Sequence, residues 1–129
     1  MADMSFITTL DKEKKLLAIK SKGEIDIQRI DSIRTEIKSL LDGTEGWDLL
    51  INHSESTMKN LDYHQMNSVT NKSKVALDAL KLRRFVLVVN TNDYGHGRMW
   101  EILMSDKMSA DTHAFKTIEQ ANQFLEESE

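Results

Sequence analysis

Residues 85–89, FVLVV, run directly into residues 90–100, NTNDYGHGRMW. An unbroken apolar run rich in β-branched residues predicts a strand covered on both faces, and therefore an interior strand with parallel neighbours. The polar stretch after it predicts a turn and then a helix from about Gly95 to Ser105, with Met99, Ile102 and Leu103 facing the sheet. A buried strand feeding a helix is half of a β-α-β unit, so further strands are expected on either side in the chain.

They are found in both directions. Downstream, THAF at 112–115 predicts a short last strand, and Thr117 with Gln120 forms a capping-box pattern for a terminal helix bearing Ile118, Ala121, Phe124 and Leu125. Upstream, Asp62 is placed to cap a helix carrying Met66, Val69, Ala76, Leu77 and Leu80. WDLLIN, Trp47 to Asn52, reads as a short buried strand, and the polar residues from Asn52 to Asn60 read as a loop. Asp26 precedes Ile27, Ile30, Ile33, Ile37, Leu40 and Leu41, an apolar stripe at helical spacing that Gly43 ends. SFITTL and LLAIKSKG, separated by the charged DKEKK, predict an N-terminal hairpin. The order is β-β-α-β-α-β-α-β-α, with no proline, linker or repeat, and residues 1–129 are expected to form a single domain.

Composition limits the chemistry. The chain has no cysteine, so disulfides, thiolate metal sites and thiol nucleophiles are excluded. A net charge of −4 supplies no global field for nucleic acid, which is not expected as a partner. MADMSFITTLDKEK carries no apolar stretch of signal-peptide length and nothing later is long enough to span a bilayer, so a soluble, cytoplasmic protein is expected.

This element order, together with YGHGRMWEIL, THAFKTIEQANQFLEE and GWDLLIN, resembles the SpoIIAA-like branch of the STAS domain family, grouped with the CRAL-TRIO lipid-binding fold. The resemblance implies an α/β sandwich with a mostly parallel sheet of four or five strands, an N-terminal hairpin and about four helices. Anti-sigma-factor antagonists of this class carry an Asp-Ser-Ser/Thr-Gly signature after the third strand, whose serine a partner kinase phosphorylates. INHSESTMKN, at the matching place, offers Ser54, Ser56 and Thr57 as phosphorylation candidates, but no aspartate precedes them and no glycine follows. The branch without the signature implies binding of apolar ligands or association with membranes.

Each candidate site has a competing structural explanation. At the start of a helix, Gly95 and Gly97 would let backbone N–H groups approach an anion, with His96 and Arg98 adding donors and charge. Equally, Asn92 or Asp93 could cap the helix while the glycines relieve crowding; the third glycine of a dinucleotide fingerprint and the lysine of a P-loop are both missing. His53, Ser54 and Glu55 are the residue types of a nucleophilic triad, but no G-x-S-x-G elbow presents the serine, and no catalytic residue is expected. His53, His64, His96 and His113 show no metal-ligand spacing, so neither metal nor cofactor is expected. Trp100, Met104 and Met108 recur at i, i+4 and i+8. With Met99, Ile102 and Leu103 inward they form a second apolar face, to be covered by a neighbouring helix, a ligand, a second copy of the chain or a membrane surface. Arg98 and Lys107 flank that face as basic residues do beside anionic headgroups, and so few charges imply only weak attachment.

These features predict a non-catalytic ligand-binding or regulatory domain. Its pocket would lie between the sheet and the helices after strands three and four. Its mouth would be formed by the 53–58 segment, including His53 and Met58, and by Tyr94 to Arg98, with Trp100 and Met104 as apolar contacts. The expected ligand is an apolar or lipid-like small molecule. The alternative is a protein-interaction module switched by phosphorylation at Ser54, Ser56 or Thr57.

Overall fold

The computed structural model of the chain describes residues 5–105 and 110–127. The expected order of elements is observed: β1 (Ser5–Asp11), β2 (Leu16–Glu24), α1 (Ile27–Leu41), β3 (Asp48–Thr57), α2 (Tyr63–Asp78), β4 (Arg84–Val89), α3 (Tyr94–Ser105), β5 (Asp111–Phe115) and α4 (Ile118–Glu127). The five strands form one sheet in chain order. β1 and β2 make the antiparallel hairpin, and every later pairing is parallel.

Strands that follow one another across a sheet through right-handed crossovers place their helices on one face. α1, α2 and α3 accordingly share a core with Leu17, Ile19, Leu49, Ile51, Phe85 and Leu87. α4 has no strand to return to and covers the opposite face, where Ala121 and Leu125 meet Leu50, Val86 and Val88. β4 is buried along its whole length, as its apolar run requires.

The helix starts follow the capping chemistry of the sequence. The Asp26 carboxylate accepts from Arg29 N at 2.8 Å. Asp62 and Gln65 exchange side-chain to backbone bonds of 2.8 and 3.1 Å, a complete capping box. At α4 only half of that pattern forms: Thr117 Oγ1 accepts from Gln120 N at 3.1 Å, while Gln120 Oε1 reaches Lys116 N instead of the cap residue.

Two expectations are corrected. Residues 52–57 are not a loop but the second half of β3, lying beside Lys22, Gly23 and Glu24. The register passes from Lys20↔Asn52 to Lys22↔Glu55, so His53 and Ser54 together oppose Ser21 in a β-bulge. Side chains normally alternate along a strand, and His53 and Ser56 would point to opposite faces. The extra residue restores them both to the buried side. Glu55, on the exposed side, meets Lys20 and Lys22 at 2.7 and 3.7 Å, which accounts for a polar segment that is nevertheless a strand.

The second correction is the phase of α3. Trp100 is 8% exposed and Met104 0%, whereas Ile102, expected inward, is 62% exposed. A Cβ on Gly97 would lie 2.9 Å from Val89 Cγ2, so α3 is pressed backbone-first onto β4 at this glycine. Residues at i+3 and i+7 from a contact share its face, and these are Trp100 and Met104. Met99 and Leu103, half-buried, pack at the flank of that face. Trp100 and Met104 of the expected second apolar face thus belong to the core face itself and offer no exposed surface to a dimer or membrane contact. Met108 and Lys107 lie outside the described residues.

Candidate functional site

Between the sheet and the helices lies a cavity of about 70 Å³. α1 contributes Ile33, Arg34 and Ile37, α2 contributes Met66, Thr70, Ser73 and Leu77, and the sheet closes it with Ile51, Phe85 and Leu87. His53, Met58 and Trp100 also line it. The roof is one helix earlier than expected: α1 and α2 form it, and α3 supplies only Trp100, whose ring meets Phe85 edge-on at 4.9 Å. The volume is well below the several hundred Å³ of a typical ligand pocket, and in this conformation it accommodates a molecule of a few heavy atoms rather than an acyl chain. Arg34 Nη1 donates to Ser73 Oγ at 3.0 Å, tying α1 to α2 over the cavity.

The polar pole is His53. Its Nδ1 lies 2.5 Å from Ser21 Oγ, which lies 2.7 Å from Ser56 Oγ. Burial, helped by the nearby Arg29 charge, pushes the imidazole pKa down to about 4, so the ring is neutral at physiological pH. Sequence neighbours do not assemble around it. Ser54 N bonds to the Asn52 side chain and Glu55 turns to the lysines, while Ser21 arrives from β2. Ser21 went unremarked in the sequence because only strand pairing brings it near. Of the three hydroxyl candidates, Ser56 is buried and engaged, and Ser54 and Thr57 are half-buried.

Tyr94 to Arg98 do not reach the cavity. Lys116 Nζ sits 4.8 Å from the centre of the Tyr94 ring, and Arg98 pairs with Glu101 on the surface. His96 Nε2 donates to Leu61 O at 2.9 Å, tying α3 to the β3–α2 connection. Gly95 faces open space, and Gly97 serves close packing. Met104 is in the core beside α3's sheet contact. The turn before α3 is capped by Asn90, not Asn92 or Asp93: Asn90 Oδ1 accepts from Asp93 N at 3.0 Å. Asn90 Nδ2 donates to Ser56 O at 2.6 Å, and the Asp93 carboxylate accepts from Met58 N at 3.0 Å. The segment is a clamp between the ends of β3 and β4, built from groups already engaged with one another.

At the other end of these strands the sequence reading missed a buried ion cluster. Asp48 takes paired bonds from Arg84, at 3.0 and 2.6 Å, and from Arg83, at 3.2 and 2.9 Å. Burial alone would raise the Asp48 pKa, but the hydrogen bonds from Arg84 and Arg83 and their charges outweigh it and hold the carboxyl below its usual range. The pairing follows from the register Asp48↔Arg84. His64 is exposed and His113 is 3.0 Å from an Asp111 oxygen, far from His53 in the sheet order. Among the described residues no three His, Asp or Glu side chains are placed to hold a metal ion. Nor, among them, is any helix long and apolar enough to cross a membrane.

No family model matches the chain. No curated relative matches it either. Among solved structures it is similar to an uncharacterized protein of the DUF3478 family with a SpoIIAA-like fold, from Shewanella loihica PV-4. The TM-score is 0.61 at 14% sequence identity, over 97% of each chain. At that identity the likeness concerns the fold, and it agrees with the five-stranded sheet, its antiparallel opening hairpin and its four helices. The chain has a SpoIIAA-like fold of the STAS type.

Proposed function

We propose that the chain is a non-catalytic binding domain that holds a small, largely apolar molecule between the sheet and the α1–α2 roof. The observation that carries this is the cavity: aliphatic, aromatic and methionine side chains form its walls, with His53, Arg34, Thr70 and Ser73 as the polar exceptions. Ligand sites of this kind combine an apolar body with a few placed polar groups. Methionine adds shape tolerance, and Met58 and Met66 both reach the lining. A longer, lipid-like ligand would require α1 and α2 to part and the Arg34–Ser73 bond to break.

Native mass spectrometry of freshly purified protein, followed by denaturing mass on the same sample, tests the proposal together with xenon titration followed by methyl NMR. Xenon-induced shifts confined to cavity methyls such as Ile33, Ile51 and Leu87 support it. Their absence refutes it. A second reading, a phosphorylation-switched interaction module, is favoured by Ser54 and Thr57, half-buried at the carboxyl end of β3. A covalent phosphate that survives denaturation would select it.

A further inference from the structure

His53 lines the cavity and is 93% buried by its 7% exposure, yet its Nε2 has no hydrogen-bond partner among the described residues. The other polar lining groups are already engaged: Arg34 with Ser73 and Asp31, and Thr70 Oγ1 with Asn67 O at 3.0 Å. With Nδ1 turned to Ser21 in the neighbouring strand, the ring edge bearing Nε2 is the one left to face the cavity.

The proton positions follow from counting donors. Ser21 Oγ lies between His53 Nδ1 and Ser56 Oγ, and among the described residues Ser56 Oγ has no other partner. If Nδ1 carried the proton and donated to Ser21, then Ser21 would donate to Ser56, and the buried Ser56 proton would have no acceptor. The opposite direction satisfies every hydroxyl: Ser56 donates to Ser21, and Ser21 donates to Nδ1. The first arrangement leaves two groups unpartnered, the Ser56 proton and the bare Nε2, and the second leaves only Nε2–H, so the relay runs from Ser56 to His53. The neutral ring then carries its one proton on Nε2.

We infer that the two serines lock His53 as an Nε2–H donor aimed into the cavity, and that the site selects a small apolar molecule bearing one hydrogen-bond acceptor, such as a carbonyl or ether oxygen. The inference rests on the cavity being a binding site and adds the chemistry that it reads. A hydrocarbon of the same shape would fill the walls but leave the N–H unpartnered, and selectivity arises from that difference.

Acetone and isobutene, which differ by C=O against C=CH2, are the probes. Long-range proton–nitrogen NMR on the whole protein should show His53 protonated at Nε2 and bare at Nδ1, with the Nε2 proton shifting on addition of acetone and not of isobutene. The acetone-to-isobutene affinity ratio should fall about tenfold, the value of one ordinary hydrogen bond, in His53→Asn, whose shorter amide can meet Ser21 but places no atom at the Nε2 position. It should be retained in His53→Gln, which restores a donor near Nε2. A proton found on Nδ1, or a ratio that is the same in wild type and His53→Asn, overturns the inference while isobutene and xenon binding leaves the cavity reading standing. If neither xenon nor isobutene enters, the cavity reading itself fails. Should the variants not fold, the ring signals of the wild-type protein decide the tautomer alone.

Discussion

Lowering the pH from 7 to 5 should destabilise this protein by about 2 kcal/mol through His53 alone. Burial and Arg29 hold its pKa at about 4, against about 6.5 in an unfolded chain. Above pH 6.5 the ring is neutral in both states, and its packing and its bond to Ser21 contribute in full. Between those two values the unfolded chain binds a proton that the folded protein refuses, so stability falls as the pH falls. Below about pH 4 both states bind it and the loss levels off near 3 kcal/mol, from 1.36 kcal/mol per pH unit. A loss of about 2 kcal/mol at pH 5 is large for a domain stable by about 5–15 kcal/mol. With a urea dependence of about 1–3 kcal/mol per molar, it moves the unfolding midpoint by roughly 1 M.

Trp47 and Trp100 are both buried, so tryptophan fluorescence reports the transition at pH 7, 6 and 5 at constant ionic strength. His53→Asn provides the control. Its amide reaches toward Ser21 and does not titrate, so it should lower the midpoint at pH 7 by a modest, fixed amount and flatten the dependence between pH 7 and 5. A wild-type midpoint that does not move over that range refutes the reasoning. So does a His53→Asn variant as steep as the wild type.

Further expectations follow from packing and charge. Gly97→Ala should cost about 1–3 kcal/mol in thermal unfolding, since the new Cβ meets Val89 Cγ2 at 2.9 Å, whereas Gly95→Ala, facing open space, should be neutral or stabilising by up to about 1 kcal/mol. Asp48→Asn should cost about 3–5 kcal/mol by stranding the buried Arg84, while Arg83→Ala, removing a half-exposed side chain, should cost less than about 1 kcal/mol. Because the Asp48 pKa is depressed, its contribution is present above the ordinary carboxylate range and lost only as the pH falls through its lowered value. Trp100→Ala should cost about 3–5 kcal/mol and Ile102→Ser less than about 0.5 kcal/mol, by urea denaturation. Equal costs for those two would show that the observed face of α3 is wrong.

Residues that act locally are legible in the sequence. Asp26, Asp62 and Thr117 cap the helices they precede because a cap needs only a side-chain oxygen within three residues of an N–H. FVLVV declared an interior strand because its apolar run leaves no face for water. The site was less legible. His53, Met58 and Trp100 were expected at a pocket and do line one, but Ser21, Arg34 and Ser73 were not singled out. They come from β2, α1 and α2, and nothing in their own neighbourhoods marks them.

The sequence by itself determined the elements, their order and the architecture, because helical spacing, apolar runs and caps are short-range properties that each segment carries alone. Tertiary structure decided the rest. The polar segment at 53–57 became a strand because β2 offered it partners and lysines offered its glutamate charge. A single bulge then placed His53 and Ser56 on the same side of the sheet. α3 turned Trp100 inward because one glycine fitted against Val89. A hydrogen-bonded relay, a cavity and a buried ion cluster each need groups that lie 32–39 residues apart in the chain to meet in space, and only folding sets those distances.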